Sequence, residues 1–175
     1  MQTFAILLTL VLAASLPSAV RGQAYTFTNK SVEYIIEFPS SKWRALPAGI
    51  VPERTRKEFI YSNRNSVRLL VRRKLVDAGI TLSDMVRGRQ SRDQNLPGYV
   101  LLKEENFTGQ LSGAKFSYEY TQRGKPMTAV IYYLEAAHRI IYSLRFTGTR
   151  DNMQSLHDQT ESIARSFRLK NLRRV

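Results

Sequence analysis

Apolar and polar residues alternate along several stretches of the chain, and that two-residue period predicts strands. Val67, Leu69 and Val71 point one way while Arg68, Arg72 and Lys74 point the other, giving a strand with one dry face and one wet, cationic face. Residues 57–61 form a second strand, joined to the first through the polar turn 62–66 as a hairpin. Ahead of them, residues 32–38 are rich in β-branched and aromatic side chains and stop at Pro39, with Trp43 just beyond the turn.

From Thr81 the period lengthens. Leu82, Met85, Val86 and Arg89 recur at three and four, and Thr81 with Asp84 forms a capping box, so a helix is expected from there to about Asn95. Leu96-Pro97-Gly98 ends it, and strands are expected over 99–107, 114–122, 127–135 and 139–147. Gly109, Gly113 and Gly124 fall between strands, where turns call for positive φ. The strand from Met127 is apolar on both faces, which places it inside a sheet covered on both sides. Met153, Leu156, Thr160, Ile163, Ala164 and Phe167 then make one apolar stripe, predicting a single amphipathic helix with Thr149 or Asp151 as its N-cap. The tail from Lys170 is basic and expected to fray.

The chain opens differently. Residues 4–16 are apolar and uncharged, and Pro17, Ser18, Ala19 and Gly22 follow, the order of a signal peptide and its cleavage region. A run of roughly 13 residues falls short of the ~20 that span a bilayer as a helix. The reading is a signal peptide over 1–22, cleaved near Gly22 or Ala24, and one domain over 23–175, secreted or periplasmic. With no cysteine, the domain has no disulfide and must stand on its core, which ~150 residues can supply. The net charge is +13 over 175 residues, an excess that bears on partners rather than on fold. An exported protein meets anionic lipid head groups, acidic polysaccharide and acidic protein surfaces, and no nucleic-acid partner is expected.

The order of several short signatures resembles the PsbP-like superfamily, including exported bacterial DcrB-type domains. They are Phe38-Pro39 followed by Trp43, the helix opening Thr81-Leu82-Ser83, Pro97-Gly98-Tyr99, Leu111-Ser112-Gly113-Ala114, Tyr118-Glu119-Tyr120 and Ser166-Phe167-Arg168-Leu169. The resemblance covers residues 32–169 and implies an α+β fold, an antiparallel sheet flanked by helices in an α/β/α sandwich. It also implies a non-enzymatic accessory or adaptor role. No binding residue is carried over, because the matching positions build turns and core.

The residues themselves argue against an enzyme. His138 and His157 are the only side chains that titrate near neutral pH, and both read as solvent-facing; Asp158, beside His157, is expected on a different helix face. There is no Gly-x-Ser-x-Gly, no phosphate loop and no dinucleotide fingerprint, so no cofactor is called for. The histidines and scattered carboxylates make no metal-ligand spacing, and Glu104 and Glu105 would point to opposite faces of a strand. The sequons at Asn29 and Asn106 would matter only in a eukaryotic secretory pathway.

What remains is binding. Basic residues gather at Arg54, Arg56 and Lys57, at Arg68 with Arg72, Arg73 and Lys74, at Arg87, Arg89 and Arg92, and at Lys170, Arg173 and Arg174. The plain reading is a solvated surface; the functional one is an anion-binding face made by Arg64, Arg68, Arg72 and Lys74. The tyrosines read mostly as packing, with Trp43, Tyr118 and Tyr120 as candidates for a partner surface. The leading expectation is an exported adaptor that binds another envelope or extracellular protein. The alternative is electrostatic binding of lipid head groups or acidic polysaccharide.

Overall fold

The computed structural model describes residues 23–47, 55–62, 67–137 and 139–170. Seven strands form the main sheet: β3 (Trp43–Ala45), β4 (Arg56–Tyr61), β5 (Val67–Leu75), β6 (Val100–Thr108), β7 (Ser112–Gln122), β8 (Lys125–Ala137) and β9 (Ile140–Thr149). Their order is β3-β4-β5-β9-β8-β7-β6, antiparallel throughout. The last four strands are successive hairpins, and β9 closes the sheet by pairing with the earlier β5. Between β7 and β8, Arg123 and Gly124 carry φ of 51° and 72°, the doubly left-handed two-residue turn that suits a twisted hairpin. A small sheet of β1 (Tyr25–Phe27), β2 (Tyr34–Phe38) and β10 (Arg168–Leu169) lies apart.

The seven-stranded sheet has a core on each face. One holds Val67, Leu69, Val71, Tyr132, Leu134, Tyr142, Leu144 and Phe146, packed with Phe38 of β2 and with Ile163 and Phe167. The helices on that side are α2 (Arg150–Ser155) and α3 (His157–Ser166). The opposite core joins Phe116, Tyr118, Tyr120, Ala129, Ile131 and Tyr133 to Val86 of the other helix, α1 (Leu82–Asp93). The α+β sandwich is as expected, and residues 128–134 of β8 are all buried, as a strand apolar on both faces must be. Thr81 caps α1 with Asp84 in the reciprocal box.

Several details refine the sequence reading, and Gly109, unlike Gly124, does not take the positive φ expected of it. The final helix is two: Leu156, at φ −107° and ψ 10°, breaks it while keeping its side chain in the core, so the apolar stripe survives the break. Thr149 holds the N-cap position without a side-chain bond, and Asp151 lies inside the first turn. Gly113 is a strand residue, not a turn residue; a Cβ there would come within 1.8 Å of the Tyr133 carbonyl oxygen, so close backbone approach, not positive φ, requires glycine. Lys170 is anchored, its ammonium donating to the Asn29 and Val32 carbonyls at 2.6 and 2.7 Å.

A candidate anion-binding half-face

Helix α1 packs on β7 and β8, and the β4–β5 end of the same sheet face lies open beside it. The register sets what that end presents. Arg68 stands opposite Thr147 of β9, Leu70 opposite Glu58 and Arg145, Arg72 opposite Arg56 and Ser143, and Lys74 opposite Ile141. These side chains alternate with the buried Val67, Leu69 and Val71. Arg56, Arg68, Arg123, Lys125 and Arg145, with Leu70, Met127 and Tyr120, border a groove of about 1010 Å³ in which these five cations meet one carboxylate, Glu58, and Arg72 and Lys74 continue the same face of β5 next to it.

Like charges directly opposite on neighbouring strands repel, as Arg56 and Arg72 do here. The effect shows in proton affinity. Arg72 is held below the ordinary guanidinium value first by burial and then by Arg56, Arg89 and Arg145. Lys74 is lowered by burial and by Arg92, Arg89 and Arg72. Among the described residues neither has an acidic partner within 4 Å, whereas Arg56 pairs with Glu58, and Arg68, its side chain 51% exposed, reaches Glu58 only at 3.8 Å.

Arg145 is positioned from beneath. Its Nη2 donates to the Tyr118 hydroxyl at 2.6 Å, and the buried Asp93, which takes Arg89 Nε at 2.8 Å, adds to that hydroxyl's hold on its proton. Burial, ahead of any charge, pushes the Tyr118 phenol well above its usual value. Arg145 Nε is buried and has no partner. The result is a guanidinium held in place at the groove by Tyr118.

Of the four residues expected to bind anions, Arg68, Arg72 and Lys74 share this face, while Arg64 lies outside the described residues. Trp43 is 1% exposed, its indole donating to Gln159 Oε1 at 3.1 Å, and Tyr118 is fully buried, so neither ring offers a surface to a partner. Tyr120, 8% exposed, borders the groove. His157 Nδ1 lies 3.1 Å from Asp158 Oδ1, closer than adjacent helical positions led us to expect; α3 begins at His157, and both side chains are exposed to solvent. His138 lies outside the described residues. Among the described residues no group of three or more acidic, histidine or cysteine side chains is placed to hold a metal.

No family model and no curated protein matches the chain. Solved structures do. LpqN, involved in cell envelope biogenesis of Mycobacterium tuberculosis, superposes with a TM-score of 0.58 at 15% identity over 85% of this chain and 91% of its own. Cyanobacterial PsbP from Synechocystis sp. PCC 6803 gives 0.60 at 12% identity over 90% and 99%, and the Ran-binding protein Mog1p of Saccharomyces cerevisiae 0.62 at 7% over 85% and 96%. The fold is Mog1/PsbP-like.

Within the Mog1/PsbP-like sandwich, the half-face is built from residues remote in sequence. Alternation in β5 pointed to Arg68, Arg72 and Lys74, and the β4–β5 hairpin brought in Arg56. Its neighbour Lys57 faces the other way, 6% exposed, with its ammonium on the Leu46 carbonyl at 2.8 Å. Arg73 also leaves the face, toward Glu33 at 3.4 Å. Arg145, Arg123 and Lys125 were missed, because they join the site only through the long-range β5–β9 pairing.

Proposed function

We propose that this chain is an exported, non-enzymatic accessory domain that acts in the cell envelope or outside the cell and holds an acidic partner on the open half-face. One observation carries the reading. Many of the basic residues elsewhere on the domain are matched by acids: Arg87 with Asp84, Arg150 with Glu119, Arg168 with Glu37, and Lys103, Lys115 and Arg165 with Glu105 and Glu161. On the half-face Arg56, Arg68 and Arg72 share Glu58, Lys74 is crowded by Arg72, Arg89 and Arg92, and among the described residues neither Lys74 nor Arg145 has an acid within 4 Å. Self-repulsion of this kind costs stability, and a bound anion relieves it. The fold shared with LpqN, a protein of envelope biogenesis, supports the envelope setting.

Two double variants separate this reading from a generally cationic surface. Arg68→Glu with Arg72→Glu and Arg150→Glu with Arg168→Glu change net charge equally, but only the first pair touches the half-face. Residues 23–175 carrying the first pair are expected to lose at least about tenfold of the material captured from native envelope extract at low salt, and the second to retain it. Equal losses would return the basic residues to solvation alone.

A further inference from the structure

The half-face is patterned as well as charged. Leu70 sits between Arg68 and Arg72 on one face of β5, with Arg145 across from it on β9 and Met127 also in the groove. Same-face positions recur every second residue, so Arg68 and Arg72 project about 13 Å apart with an apolar side chain midway. Building on the half-face as the binding surface, we propose that it receives an extended acidic peptide segment of a protein partner, two carboxylates four residues apart flanking an apolar side chain. An extended ligand has the same period as the strand beneath it. Its carboxylates meet the guanidinium forks of Arg68 and Arg72 while its apolar residue settles on Leu70 beside Arg145.

Other anions fit less well. A plane of lipid head groups carries no apolar side chain to settle on Leu70 between Arg68 and Arg72. Among the described residues Tyr120 is the one aromatic side chain bordering the groove and is 8% exposed, so a sugar ring or a base finds no stacking platform there. Glu58 opposes an incoming carboxylate, which makes the sign of its removal informative.

The test is fluorescence anisotropy at low salt with labelled peptides in which two glutamates are separated by serine, leucine and serine, against the same residues reordered with the glutamates adjacent. The ordered peptide is expected to bind at least about tenfold tighter, a preference lost in Leu70→Ser, and Glu58→Gln is expected to tighten it severalfold. Equal binding of the two peptides overturns the assignment. Phosphatidylglycerol vesicles or heparin held through Arg68 and Arg72, with no peptide binding, would overturn it too while leaving the half-face as the functional surface. If none of the four probes responds to Arg68→Glu with Arg72→Glu, both readings fall.

Discussion

The aromatic residues do two kinds of work that the sequence does not distinguish. Tyr132 and Tyr142 pack in the larger core, whereas Tyr118 reaches the groove floor through Arg145. Burial is the first cause of every raised phenol: Tyr133 and Tyr142 are pushed up to about 12, and Tyr118 and Tyr132 higher. An unfolded tyrosine releases its proton near pH ~10, so between there and about 12 the folded chain holds protons that the unfolded one has lost. This contribution to stability is full below about pH 10 and declines as pH rises through the folded values. Thermal unfolding followed with tyrosinate absorbance should show a midpoint that falls steeply above about pH 10, ionisation appearing with unfolding; ionisation of all tyrosines before the melt would contradict it. Which tyrosine stands beneath an arginine was not legible, because the contact crosses from β7 to β9.

At the scale of elements, what could be read and what could not follows from length and period. β5 and β8 are long enough for alternation, or its absence, to report which faces are buried, and the Thr81–Asp84 box marks the start of α1 from four residues. β1, β3 and β10 have three, three and two residues, too short for any period to register. The break at Leu156 left no trace, since a stripe spaced at three and four looks the same in one helix or two. Gly113 belongs here as well: its need for glycine comes from Tyr133 on the neighbouring strand, not from its own turn. Gly113→Ala should force β7 away from β8 at a cost of about 3 kcal/mol, as overpacking does. Urea denaturation measures that, and a midpoint unchanged from the parent would show that the strands yield without cost.

Considered whole, the molecule is a sandwich whose two helical layers differ in extent. α2, α3 and the small sheet supply the larger core, while α1 covers only part of the opposite face and leaves the β4–β5 end to charged side chains. Among the described residues no helix is long and apolar enough to cross a membrane, and the expected signal over 1–22 lies outside them. The expected cleavage points, near Gly22 or Ala24, precede β1 and would leave every described strand intact. The +13 charge is visible in the sequence, but which cations pair with acids and which crowd together on the half-face requires the strand order.

If acidic ligands bind this cluster, and are not held by the total charge, the contacts they make are local. Backbone amide NMR spectra of isotope-labelled residues 23–175, titrated with polyglutamate at moderate salt, test it most directly. Perturbations are expected only in β4, β5, the end of β9 and the β7–β8 turn, saturating together. Shifts spread evenly over the basic surface, including Arg150, Arg168 and Lys170, would contradict it.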